Sequence, residues 1–183
     1  TAMGKAMVRL PLHPRLAHMV VRGASPLSAD LAAFLSERDG GERHAGADIG
    51  ARLELARRRF AASSKQIKQI AGIFTGQSGL SIGVLVALAW PDRIAQRRGG
   101  GGRYRMSGGG GAILPEHDDL AVHDWLAVAL TDGRAGDQKI HLAAPLTLAE
   151  IEAHFANQIE TKEEIFWDSR AKSVSAIRQR RLG

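Results

Sequence analysis

The stretch Arg97-Arg98-Gly99-Gly100-Gly101-Gly102-Arg103-Tyr104-Arg105-Met106-Ser107-Gly108-Gly109-Gly110-Gly111 divides the sequence into two halves with different periods. Two four-glycine runs bracket five residues, and short strands on either side of a glycine turn are the natural reading. Downstream, Trp125–Leu130 and Lys139–Ala143 read as strands, joined by a segment whose Asp132-Gly133 and Gly136-Asp137 are turn-forming pairs. Pro145-Leu146-Thr147 reads as the opening of a helix, with Thr147 and Glu150 in capping-box spacing and Leu148, Ile151, His154 and Phe155 on one face. Glu160–Asp168 and Lys172–Arg181 read as a last pair of strands, with Asp168-Ser169-Arg170-Ala171 as their turn. Five or six strands, with one helix inserted before the last pair, predict a small OB-like β-barrel, closed or nearly so.

Upstream of residue 99 the period is helical. Leu16, Met19 and Val20 recur at i, i+3, i+4 after Pro14, which suits the first turn of a helix. Ser28 and Asp30 open a second segment with Leu31, Phe34 and Leu35 on one face, and Gly40-Gly41 stops it. Asp48 caps a third that runs through Leu53 and Leu55 into Arg57-Arg58-Arg59. A fourth carries Ile67, Ile70, Ala71 and Phe74 and closes at Gly76; a fifth runs from Ser81 to Trp90. Pro91-Asp92 breaks it before a short basic turn, Arg93–Arg98. The expected architecture is α+β: a helical bundle over 1–98 and a barrel domain over 99–183.

The chain has 183 residues, 44% of them hydrophobic and 24% charged, which is globular composition. The longest apolar run, around Ile82–Trp90, is too short to cross a bilayer, so no membrane partner is expected. Thr1-Ala2-Met3-Gly4-Lys5 lacks the apolar core of a signal peptide, and the chain reads as a piece of a longer one. The absence of cysteine excludes disulfides, thiol nucleophiles and cysteine-bound zinc, and fits a cytoplasmic protein. Residues 1–98 hold 15 Lys+Arg against 7 Asp+Glu, whereas residues 99–183 hold 10 against 12. Of the basic residues 19 are Arg and 6 Lys. Arginine forks onto phosphate and stacks on bases, but an arginine-rich genome would write the same bias.

No catalytic constellation is legible. Neither glycine run continues into the Gly-Lys-Ser/Thr of a phosphate-binding loop. Gly76-Gln77-Ser78-Gly79-Leu80 fails as a nucleophile elbow because leucine stands at its fifth position. His13 and His18, five apart on a helix, diverge by about 140° and do not grip one ion. His117, Asp118, Asp119, His123 and Asp124 form the densest ligand cluster, and a solvated acidic loop accounts for it better than a metal site. Glu163 and Glu164 are adjacent in a strand and point to opposite faces, which rules out a paired acid and base.

Three stretches carry a resemblance to a known family. Thr1–Met19, with Gly4, Met7 and Pro11-Leu12-His13-Pro14-Arg15-Leu16-Ala17, is similar to the signature leading from the winged-helix module into the ratchet domain of DEAH-type RNA helicases. Leu35-Ser36-Glu37-Arg38-Asp39 is similar to the end of the family's next helix. Ala87-Leu88-Ala89-Trp90-Pro91-Asp92-Arg93-Ile94-Ala95-Gln96-Arg97-Arg98-Gly99 resembles the junction between ratchet and OB-like domain. The glycine-rich continuation to Tyr104 and Phe166-Trp167-Asp168 point to the bacterial HrpB-like branch. The resemblance implies a non-catalytic segment of an ATP-driven 3′-to-5′ RNA helicase, lying downstream of the motor core. ATP and Mg²⁺ would belong to two upstream RecA-like domains of the same chain, and no cofactor to this segment. The implied partners are single-stranded RNA, with DNA as the alternative, and those RecA-like domains.

Two basic groups are candidate nucleic-acid contacts. Arg97, Arg98, Arg103 and Arg105 straddle the first glycine run; strand alternation would set Arg103 and Arg105 on one face and Tyr104 on the other. Arg57, Arg58 and Arg59 could meet phosphate, although cations at a helix end also favour its dipole and face water. Trp90, Trp125 and Trp167 fit core positions better than base platforms. The alternative function is a protein-interaction module that docks a regulator of the motor.

Overall fold

A computed structural model describes residues 1–37, 46–73, 79–168 and 172–182. Among the described residues, six α-helices precede the sheet: α1 (Ala2–Val8), α2 (Pro14–Gly23), α3 (Pro26–Ser36), α4 (Ile49–Ala56), α5 (Ala61–Ala71) and α6 (Ile82–Ala89). Local chemistry sets their ends. Pro14 is the first residue of α2, and Arg15 N donates to Nδ1 of His13 at 3.3 Å. Ser25, rather than Ser28, caps α3: each serine hydroxyl accepts from the other's backbone N–H at 3.2 Å, so Ser28 closes a capping box from inside the helix. Asp48 caps α4 through Gly50 N at 2.8 Å. Helix α5 stops at Gly72, in the left-handed conformation at φ +69°, ahead of the expected Gly76. Phe74 and Gly76, like Gly40-Gly41 and the proposed turn residues Ser169, Arg170 and Ala171, lie outside the described residues.

The helices share one apolar core. Leu16, Met19, Val20, Leu31, Phe34, Leu53, Phe60 and the α6 residues Val84–Ala87 are buried together, and Phe34 meets Phe60 edge to face at 6.0 Å. The Asp30 carboxylate ties α3 to α5 by meeting Lys68 Nζ at 2.6 Å and accepting from the Ser64 hydroxyl. Helix α6 is apolar all round because it is covered on all sides: α2 lies on one flank and the sheet on the other.

Seven strands follow: β1 (Ile94–Arg97), β2 (Arg103–Met106), β3 (Gly111–Ile113), β4 (Trp125–Thr131), β5 (Gln138–Leu146), β6 (Ile159–Asp168) and β7 (Ser173–Leu182). The first five close a barrel in the order β1-β2-β3-β5-β4, with β4 returning to β1 and β3 running parallel to β5. This is consistent with an OB-like domain. The expectation of α+β architecture with a barrel holds, with three corrections. The segment Arg93–Arg98, read as a basic turn, contains strand β1, which opens the barrel at Ile94. Pro145 and Leu146, read as a helix start, end β5 instead, and α7 (Leu148–Phe155) begins after the Thr147 cap. The last strand pair stays out of the barrel: β6 and β7 pair only with each other, and α7 follows the closed barrel instead of being inserted in it. Five strands already satisfy one another's edges, so none is left for the hairpin to join. On α7, Ile151 and Phe155 are buried while Leu148 and His154 are exposed.

Alternation explains why β4 reads as one apolar run. Leu126 and Val128 point into the barrel beside Tyr104, Leu114 and Ile140, whereas Ala127 and Ala129 point outward into the core shared with the helices. Two contacts join helices and barrel at backbone level. Ala143 N donates to Ala47 O at 2.9 Å, adding the segment before α4 to β5. At Gly83, α6 approaches β5 so closely that a Cβ there would stand 2.1 Å from the Pro145 carbonyl oxygen.

Candidate nucleic-acid interface

Register on β1, β2 and β4 decides where the junction arginines point. Gln96 is opposite Arg105 on one side and Trp125 on the other, so Trp125, Gln96 and Arg105 form one row across three strands. The amide of Arg98 donates to the Arg103 carbonyl at 2.8 Å, which sets those two residues opposite each other two rows further, beyond the Arg97–Tyr104 pair. Successive side chains alternate faces. Arg98, Arg103 and Arg105 therefore share the outer face with Gln96, and Tyr104 turns inward, as the burial along β2 records.

Arg97 belongs to the other face. Its partner in register is Tyr104, and its Nη2 lies 2.7 Å from Oδ1 of Asp124, with Nε at 3.1 Å from the same oxygen. Its charge is thus matched locally, whereas Arg98, Arg103 and Arg105 have no carboxylate within 4.0 Å among the described residues. The group of four separates into three outward cations and one ion-paired neighbour.

Tyr104 is a barrel-core residue. It is 3% exposed, and its hydroxyl lies 2.9 Å from the His123 carbonyl and 3.1 Å from that of Leu120. Burial pushes its phenol pKa up; Arg97 opposes the shift, and Asp124 and Asp118 add to it. The acidic loop has definite structural work. Asp118 accepts from Leu120 N and Ala47 N, both at 3.0 Å, which caps the turn Asp119–Val122 and anchors the segment before α4. Nearby, the buried Arg52 guanidinium donates to the Gly46 carbonyl; burial lowers its pKa against the pull of Asp118.

Arg57, Arg58 and Arg59 follow α4 and are all exposed, with Arg57 Nη2 3.2 Å from Glu54 Oε1. Helix α4 packs on α3 and β5. The two basic groups are therefore not assembled into one patch by any described contact.

A groove of about 220 Å³ opens on the outer face of β1 and β2, lined by Ile94, Gln96, Arg98, Arg105, Met106 and Trp125, with Leu182 of β7 at its border. Sequence reasoning missed Gln96 and the exposed side of Trp125, because both enter only through the register of a strand that reads as a turn. Trp90 and Trp125 are each half-buried against the common core; the Trp167 side chain lies outside the described ones. Among the described residues no helix is long and apolar enough to cross a membrane.

A closed five-stranded barrel with helices on one flank is consistent with an OB-like α+β module, and among the described residues three arginines on its outer face have no carboxylate beside them. The comparisons narrow the class. The chain is 31% identical over 190 residues to the ATP-dependent RNA helicase HrpB of Escherichia coli (strain K12), across 100% of the chain and 23% of that protein. Among solved structures, the E. coli DExH-box NTPase HrpB aligns with a TM-score of 0.87 at 30% identity, and the E. coli DEAH/RHA helicase HrpB with 0.83 at 26%. Each covers 100% of the chain, which spans 23% of the length of these relatives. No family model matches the chain. Along its whole length the chain is thus similar to one segment of HrpB helicases.

Proposed function

We propose that this chain is a non-catalytic accessory part of an ATP-driven RNA helicase and that it holds single-stranded RNA on the outer face of β1 and β2. The helices α1–α6 serve as the ratchet-type unit and the barrel as its partner domain. In this reading ATP and Mg²⁺ act in upstream RecA-like domains, and this segment supplies grip rather than chemistry. The observation that carries the reading is the set Arg98, Arg103 and Arg105, cations on one sheet face with no carboxylate beside them among the described residues. Two residues along a strand are about 6.8 Å apart, so Arg103 and Arg105 present separate charges to separate phosphates. Such contacts position a strand without reading its sequence.

The test is the salt dependence of single-stranded RNA binding. Single strands release roughly 0.7 counterion per neutralised phosphate, so changing Arg98, Arg103 and Arg105 together to Gln should flatten the log–log slope by about 2. Arg97→Gln should change it less, because Asp124 already matches that charge. Replacing Arg57, Arg58 and Arg59 by Gln serves as a comparator with the same loss of charge elsewhere. A triple variant of β1–β2 with the wild-type slope, in a folded protein, refutes the assignment. DNA of the same sequence, titrated alongside, reports whether the grip distinguishes the two.

A further inference from the structure

We infer that the groove on β4, β1 and β2 is a pocket for one unstacked nucleotide, with its base against Trp125 and its phosphate on Arg105 and Arg98. The inference rests on the RNA-holding reading above and adds to it a base contact. The groove lies on the β4–β1–β2 side of the barrel, off the strand 2–3 face through which OB folds commonly bind oligonucleotides.

Three observations converge on this ligand. The first is the row Trp125–Gln96–Arg105, which sets an indole, an amide and a guanidinium side by side on one face. Two strand spacings, about 9.5 Å, separate the ends of that row. A nucleotide spans such a gap, with an aromatic plane at one end and an anion at the other. The second is chemical asymmetry. Trp125 and Leu182, both half-buried, give the otherwise polar groove its apolar border, while Arg98 and Arg105 bring positive charge to one side with no carboxylate to neutralise it among the described residues. A purely apolar segment would leave both guanidiniums unmatched, and a simple anion would leave the indole unused. The third is size. At about 220 Å³ the groove is smaller than the ~300–1,000 Å³ of pockets that enclose a whole small ligand. It accommodates one unit of a polymer whose remainder stays outside.

Gln96 sits between the two ends and has donors and an acceptor to offer a base edge or a sugar hydroxyl. The indole platform is tolerant of base identity, since every base has a π-face. The pocket therefore discriminates strand state rather than sequence: a base in a duplex is stacked on its neighbours and cannot enter, whereas one in a single strand can.

The experiment compares fluorescein-labelled single-stranded RNA oligomers, one intact and one with abasic sites throughout, binding to the 183-residue chain at fixed low salt. Intact RNA should bind about 5- to 10-fold more tightly, the lower part of the range for base–aromatic stacking, because Trp125 is already half-covered by core. In Trp125→Leu the two RNAs should bind within 2-fold of each other. The abasic comparison on wild-type protein needs no mutation, so a folding defect in the variant leaves the test intact. Equal affinity of wild-type protein for both RNAs overturns the pocket while leaving the arginine grip standing. Absence of any RNA binding at low salt overturns both. Displacement of RNA by an acidic, tryptophan-containing peptide, together with indifference to abasic sites, overturns the pocket in favour of a protein-docking groove.

Discussion

Gly83→Ala should destabilise the protein although it replaces the poorest ordinary helix former by the best. Gly83 lies in α6 where that helix crosses β5, and a Cβ there would stand 2.1 Å from the Pro145 carbonyl oxygen and 3.1 Å from its carbon. Real Cβ contacts essentially never fall under 3.0 Å, so helix and strand must separate by about 1 Å. The obstacle is backbone on both sides, and no rotamer change relieves it. Moving α6 loosens Val84, Leu85, Val86 and Ala87, each no more than 1% exposed, at the centre of the shared core. Overpacking of this kind costs about 2–3 kcal/mol, at the upper end of the usual range. The gain in helix propensity from Gly to Ala returns about 1 kcal/mol. The net loss is about 1–2 kcal/mol, which for a chain of this length lowers Tm by about 2–8 °C. Thermal unfolding followed by far-UV circular dichroism measures it. Gly79→Ala is the internal control, since nothing lies within 4 Å of a Cβ at that position; it should leave Tm unchanged or raise it slightly. A Gly83→Ala protein melting at or above wild type would show that α6 does not lie this close to β5.

Tyr104→Phe removes a buried hydroxyl that serves the Leu120 and His123 carbonyls, and should cost about 1 kcal/mol in chemical denaturation with little effect on RNA binding. Loss of RNA affinity without loss of stability would instead make Tyr104 a ligand contact. Glu150 governs an acid transition: burial raises its carboxyl pKa, but hydrogen bonds from Ser81 and Thr147, helped by His154, outweigh that and hold it below the ordinary value of 4.5. Its contribution is therefore complete above pH 4.5 and disappears as pH falls through the lower, folded-state value. Glu150→Gln should accordingly flatten the wild-type loss of stability on acidification, read as Tm against pH; parallel curves would refute the link. The three-arginine variant of the β1–β2 face should lower the salt slope for single-stranded RNA by about 2, and abasic RNA should bind less tightly than intact RNA only while Trp125 is present.

What the sequence discloses depends on whether a local signal has competition. Helices α2, α4 and α6 are legible because Pro14, Asp48 and Ser81 mark their starts and an apolar stripe follows each. The Arg103–Met106 strand is legible because glycines isolate it and its alternation is clean. Strand β1 is hidden, since four residues after a Pro-Asp turn are too few to display a period, and two arginines at its end look like a solvated turn. Only pairing with both β2 and β4 makes Ile94–Arg97 a strand. Pro145 misleads for a related reason. A proline before a capping Thr is a helix signal, yet here it pairs with Leu126 and its carbonyl receives the close approach of Gly83. The face of each arginine inherits these difficulties. Arg103 and Arg105 are assigned correctly from alternation alone, but Arg97 and Arg98 are distinguishable only once β1 is known to be a strand.

Charge shows the same division between what is counted and what is placed. The first 98 residues carry the chain's positive excess, and composition alone would look for an interface there. Several of those cations are spoken for: Arg15 meets Asp92 at 2.5 Å, Lys68 meets Asp30, Arg57 meets Glu54 and Arg97 meets Asp124. Such pairs add little to stability at the surface, but they cancel the local field that would attract phosphate. Arg103 and Arg105 belong to the half with net negative charge, yet they stand with Arg98 on a face that holds no ion-paired carboxylate among the described residues. A phosphate responds to the charges within about one Debye length, 8 Å at physiological salt, and not to the total of a domain. The proposed interface therefore depends on strand register, which decides what stands beside each guanidinium, and the β1–β2 face, with Arg98 from the basic half and Arg103 and Arg105 from the acidic half, is where it is to be tested.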